Sequence, residues 1–159
     1  MQKLLTLAMV PLFLGCSLNN KGPGQADPPN WDRLAITIQS RVRVISALAF
    51  TMDNVRPHKA NVCDVAKGLS ELLATYDDKE ANFDHLRATV MEYIGRIQDP
   101  GTREAALIFV DMVLTEAFNY AWKHYQGLLD TDEARTVIVM AQAIADGLSE
   151  TCDMITSTG

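Results

Sequence analysis

The sequence predicts an all-α protein: a single up-and-down bundle of about five helices behind a flexible N-terminal tether. Three observations predict it. Apolar residues from Trp31 onward recur at spacings of three and four, the period of helices with one buried side. No segment alternates with period two over enough residues to suggest a sheet. The polar stretches between the periodic segments are short, which makes neighbouring helices antiparallel.

The first helix spans Trp31 to Met52. Asn30 caps it after Pro28-Pro29, and Leu34, Ile38, Val42, Ile45, Leu48 and Met52 lie along its apolar side. The second begins at Asn61 and carries Val62, Val65, Ala66, Leu69, Leu72, Leu73 and Tyr76 before Asp77-Asp78-Lys79 ends it. The third starts near Asn82 with Phe83, Leu86, Val90, Tyr93, Ile94 and Ile97, and Asp99-Pro100-Gly101 stops it. Thr102 then caps a fourth, which runs to Gly127. Its stretch AALIFVDMVL, Ala105 to Leu114, is apolar nearly all round except Asp111, the pattern of a central helix. The fifth begins at Asp130-Thr131-Asp132-Glu133, acids that suit the positive end of a helix dipole. Its stripe is Ala134, Val137, Ile138, Ala141, Ala145, Leu148, Cys152 and Ile155. Gly68-Leu69-Ser70-Glu71 recurs as Gly147-Leu148-Ser149-Glu150, but the flanks do not align. Glycine inside a helix costs about 1 kcal/mol against alanine, so both glycines read as points of close helix contact.

The segment before this domain reads as an export signal. Lys3 supplies a positive charge, and Leu4 to Leu14 is an apolar run interrupted only by Thr6 and Pro11, too short to span a bilayer as a helix. Gly15-Cys16 follows. A lipoprotein signal places a small residue before a cysteine whose thiol is acylated before cleavage, and residues 1–16 resemble the lipobox of bacterial lipoproteins in this respect. Phe13 stands where that family usually has Leu, and an ordinary cut after the small-x-small pattern Gly15-Cys16-Ser17 is the alternative. The resemblance implies lipid attachment at Cys16. Through Ser17, and with no Asp after the cysteine, it also implies sorting to the outer membrane, with the chain facing the periplasm. The alternative is a soluble periplasmic or secreted protein.

Three regions follow: a signal peptide over 1–15, a lipid-bearing cysteine and tether over 16–30, and a helical domain over 31–159. The tether sequence SLNNKGPGQADPPN has almost no apolar residues, and as a random coil it spans roughly 20 Å. With Cys16 assigned to the lipid, Cys63 and Cys152 remain as an even pair in an oxidising compartment. Joined, they close a loop of about 90 residues, worth about 4 kcal/mol by the chain-entropy argument. The competing reading is two buried free thiols. Two cysteines so far apart do not make a metal site.

Composition excludes some classes. With 48% of its residues apolar, the chain can bury a real core. Its formal charge of −6, one unit more negative once Lys3 leaves with the leader, argues against nucleic acid as partner. No later uninterrupted apolar run has the length of a membrane span, so the domain reads as water-soluble.

The sequence contains no HExxH, no GxSxG and no phosphate-binding glycine loop, and no cofactor or catalytic residue is assigned. Glu116, Tyr120 and His124 are the best local constellation, because spacings of four put them on one helical face beside Asn119 and Lys123. The plainer reading is a wet helix edge. Asp111 calls for a partner, with Arg41 or Arg43 as candidates, or contact with water. Arg33, Arg41, Arg43, Arg56 and Lys59 make Trp31 to Lys59 net positive, which suits either a docking face or neutralisation of acids elsewhere.

The resulting expectation is an anchored, non-enzymatic binding protein that acts as adaptor or inhibitor toward another envelope protein. In general form this resembles small helical lipoproteins such as secretion pilotins and phage-encoded envelope lipoproteins. The alternatives are an envelope-polymer hydrolase using Glu116, Tyr120 and His124, or a bundle that stores a small ligand in its core. A flat apolar patch favours binding, and a cleft around the three polar residues favours the enzyme.

Overall fold

The computed structural model describes residues 30–157, and the leader, Cys16 and the tether up to residue 29 lie outside them. The chain is all-α, with no strand among the described residues. Its helices are α1 (Trp31–Ala49), α2 (Lys59–Ala74), α3 (Phe83–Gly95), α4 (Pro100–Thr131) and α5 (Glu133–Ser157). A short 3-10 turn, Arg56–His58, leads into α2.

Cross-helix contacts give the direction of each element. Arg41 meets Glu116 and Phe50 packs on Phe109 with ring centroids 4.8 Å apart, so α1 and α4 are antiparallel. Phe83 against Phe118 and Arg87 against Asp111 set α3 antiparallel to α4. The Cys63–Cys152 disulfide, with Cα atoms 5.4 Å apart, and the Ser70 hydroxyl donating to the Ala145 carbonyl set α2 antiparallel to α5. Trp31 lies beside Arg135 while Gln39 reaches Glu150, so α1 and α5 run parallel. Odd helices run one way and even helices the other.

The sequence signals at the helix starts are physical caps. Asn30 and Asn82 accept hydrogen bonds from the backbone N–H groups of Arg33 and His85, at 2.8 and 2.9 Å. At α4 the cap is Asp99 rather than Thr102. Its carboxylate accepts from the Thr102 N–H at 2.6 Å, and Pro100 opens the helix where a missing N–H costs nothing. The turn signal Asp99-Pro100-Gly101 therefore starts α4, while α3 has already ended at Gly95. Helix α4 also passes Gly127, with one non-helical residue at Tyr125, before stopping at Thr131.

Two further boundaries differ from expectation. Helix α1 ends at Ala49 instead of Met52, where turns carry the chain into the 3-10 segment, and α2 starts two residues before Asn61. The buried row of α1 is Leu34, Ile38, Val42, Ser46 and Ala49, and Leu48 lies outside it, 54% exposed. This helix is apolar on more than one side, and the buried row includes a serine that a hydrophobic pattern passes over.

Phe109, Leu69, Leu73, Leu86, Ile94, Met140, Ile144 and Leu148 are fully enclosed. Each such side chain contributes about 1.5 to 3 kcal/mol of burial. Helix α5 runs against all four other helices on a face that interleaves small residues with Val137, Met140, Ile144 and Leu148, and Gly147 comes up against Val42 and the carbonyl of Gln39. The centre is therefore shared between α4 and α5. Leu107 and Asp111 leave the AALIFVDMVL stretch exposed along one edge. By length and composition α4 is apolar enough to cross a membrane, although polar residues interrupt its apolar stretches. In the bundle, 44% of its most apolar window is buried against other elements.

Candidate functional site

The polar face predicted on the fourth helix forms part of the α1–α4 seam. Glu116, Tyr120 and His124 succeed one another along one side of α4, and Arg41 approaches that row from α1. The Arg41 guanidinium donates to Glu116 and lies over the Tyr120 ring, 3.9 Å from its centroid. The His124 ring sits 4.4 Å from that of Tyr120. Four of the five predicted contact residues thus form one column of charge, π face and imidazole. The fifth, Arg43, belongs elsewhere. It donates to Glu150 of α5 at 2.7 Å, and Gln39 donates to the other oxygen of the same carboxylate at 2.6 Å.

Within the column, the acid is the group already engaged. The Glu116 carboxylate is engaged by Arg41, whose side chain is 43% exposed, so water screens the pair. The guanidinium also covers the Tyr120 ring. Among the described residues the Tyr120 hydroxyl and the His124 ring nitrogens have no hydrogen-bond partner, and nothing aligns a base with a nucleophile. Asp111 pairs with Arg87 of α3 at 3.1 Å and not with Arg41 or Arg43. The basic surplus of residues 31–59 is partly neutralised from outside, since Arg41 meets Glu116 and Arg43 meets Glu150, while Arg56 pairs with Asp53 of the same stretch.

Two surfaces stand out that the sequence pattern did not single out. Ile36 and Val44 are each 66% exposed, and with Leu48 they form an apolar stripe on the outer side of α1. Ser40 and Ala47 fill the positions between them, also exposed. The second surface is a cleft of about 790 Å³ between the start of α3, the end of α4 and the start of α5. Phe83 and Phe118 stack there with centroids 3.7 Å apart, and Phe118 leads on to Trp122 at 6.0 Å. Trp122 and Phe118 lie one helical turn apart, a spacing that in the sequence reads simply as continuation of the helix. The acids beside them, Asp130 and Glu133, read as a helix start. No family model, no curated protein and no solved structure matches the chain.

Proposed function

We propose that the chain is an outer-membrane-anchored periplasmic lipoprotein whose helical domain is a non-enzymatic adaptor or inhibitor of another envelope protein. The observation that carries the binding reading is the exposed apolar stripe Ile36, Val44 and Leu48 on α1. Large apolar side chains grouped on one outer helix face favour a partner that removes them from water. The anchoring rests on Gly15-Cys16 and the polar stretch after it. Helix α1 starts directly beyond that stretch, so an anchored chain would carry the stripe near the membrane.

The hydrolase reading draws on the meeting of Arg41, Glu116, Tyr120 and His124. It is the weaker one, because the acid is already occupied by the guanidinium. One set of variants separates the two. Ile36→Glu with Val44→Glu is expected to abolish crosslinking to the envelope partner with an unchanged melting temperature, and mass spectrometry is expected to find an acylated Cys16. Replacing Glu116, Tyr120 and His124 together by alanine is expected to leave function intact. Loss of function in the triple variant, with fold and partner crosslinking retained, would count for the enzyme.

A further inference from the structure

The cleft at the α3, α4 and α5 junction is a separate feature from the α1 stripe, and it has a chemistry of its own. Its floor is aromatic: the stacked pair Phe83 and Phe118, extended by Trp122, which remains 52% exposed. An exposed indole face attracts cations, and less water around it strengthens that attraction. The rim supplies matching charge. Asp84 from α3, Asp130 from α4 and Glu133 from α5 line the opening, all exposed, and none has an ion-pair or hydrogen-bonding partner for its carboxylate among the described residues. The basic residue of the lining, Arg87, is already paired with Asp111. The concavity therefore presents three free negative charges around an aromatic surface.

The distribution of those charges indicates the size of the ligand. The three acids come from three different helices, and no group of three His, Cys, Asp or Glu side chains among the described residues is arranged to hold a metal ion. Carboxylates spread round a cleft of this volume match several cations carried on one chain better than a single point charge. We propose that this cleft binds a basic peptide segment of a partner protein, with a lysine or arginine head on Trp122 and its neighbours paired with Asp84, Asp130 and Glu133. Trp31 beside Arg135 places the start of α1 at the same end of the bundle as Glu133, so the segment docks at the end where α1 begins. This site does not depend on lipid attachment or on the α1 stripe.

The test is fluorescence anisotropy of a labelled peptide of three Arg-Gly repeats, titrated with the full-length chain at low and at physiological salt. Saturable binding that weakens with salt is expected, with a Glu-Gly peptide failing to bind. Trp122→Ala, and separately Asp130→Asn with Glu133→Gln, should each weaken binding by about tenfold. Asp64→Asn with Glu104→Gln makes the same charge change at exposed positions outside the cleft and should leave binding unchanged. Three results would overturn the proposal: no binding by the unaltered chain, an equal loss in the control pair, or no loss in either cleft variant. Displacement of the peptide by spermidine at equal concentration would overturn it as well, because the cleft would then be a site for free polyamines. Melting curves of each variant exclude unfolding as the cause.

Discussion

Gly68 and Gly147 occupy the same place in the repeated Gly-Leu-Ser-Glu segment, yet they tolerate a methyl group very differently. A Cβ on Gly147 would stand 2.8 Å from the Cβ of Val42 and 2.9 Å from the backbone oxygen of Gln39, neither of which can swing away. A Cβ on Gly68 meets the end of the Tyr93 side chain, which can move. Gly147→Ala is therefore expected to cost about 1 to 3 kcal/mol, from overpacking that outweighs the better helix propensity. Gly68→Ala is expected to change stability by less than about 1 kcal/mol, and thermal melts of both variants check the contrast. Asp99 supplies the pH dependence at this scale. Hydrogen bonds from Thr102 hold its carboxyl below the ordinary value of 3.8, with His58 adding to the effect. A folded-state pKa below the unfolded one stabilises the fold above 3.8, and the contribution disappears as the pH falls through the lower, folded value. Asp99→Ala should accordingly melt at a lower temperature than the unaltered chain at neutral pH, with the difference closing on acidification below the carboxylate range.

At the scale of the element, what could be read from sequence depended on how many sides of a helix are apolar. Helices α3 and α5 carry one clear apolar side each, and the residues predicted for it are in fact buried or half-buried. Helix α1 is ambiguous. Its apolar residues occupy an inner row and an outer one, so periodicity placed Leu48 inside where Ala49 stands. Ser46 lies in the inner row, fully buried and with its hydroxyl unpartnered among the described residues, and a hydrophobic pattern has no means of selecting it. The polar row of α4 was legible because spacings of four are local, but its partner Arg41 sits 75 residues away in the chain. That partner makes the row a clamp between helices. A double-mutant cycle of Arg41→Ala and Glu116→Gln is expected to give a coupling of about 0.5 to 1 kcal/mol, the range of an exposed pair. A coupling near zero would mean that the stacking on Tyr120 contributes most of what Arg41 supplies.

For the whole molecule, the Cys63–Cys152 disulfide joins the start of α2 to the far end of α5 across a sequence separation of 89 residues. It ties down the last helix, which packs against α1, α2, α3 and α4. Both cysteines are buried, so cutting the bridge leaves two enclosed thiols and a longer list of conformations for the unfolded chain. Reduction is expected to lower stability by about 4 kcal/mol, measured as the shift of the denaturant midpoint with and without reductant. An unchanged midpoint, with both thiols titrating freely in the untreated protein, would show that the bond does not form in solution.

The sequence by itself determined the helical class, the number of long helices and the Asn30 cap, and it offered the cysteine pair. These depend on short-range periodicity, on side chains that bond the backbone three residues away, and on counting. Only the tertiary structure decided which side of α1 faces water, that Asp111 answers to Arg87, that Arg41 and Arg43 serve different seams, and that Phe83, Phe118 and Trp122 floor one cleft. The reason is physical. A helix offers its faces according to local spacing, but which face is covered, and which charges meet, depends on elements that are remote in the chain and become neighbours only when the bundle closes.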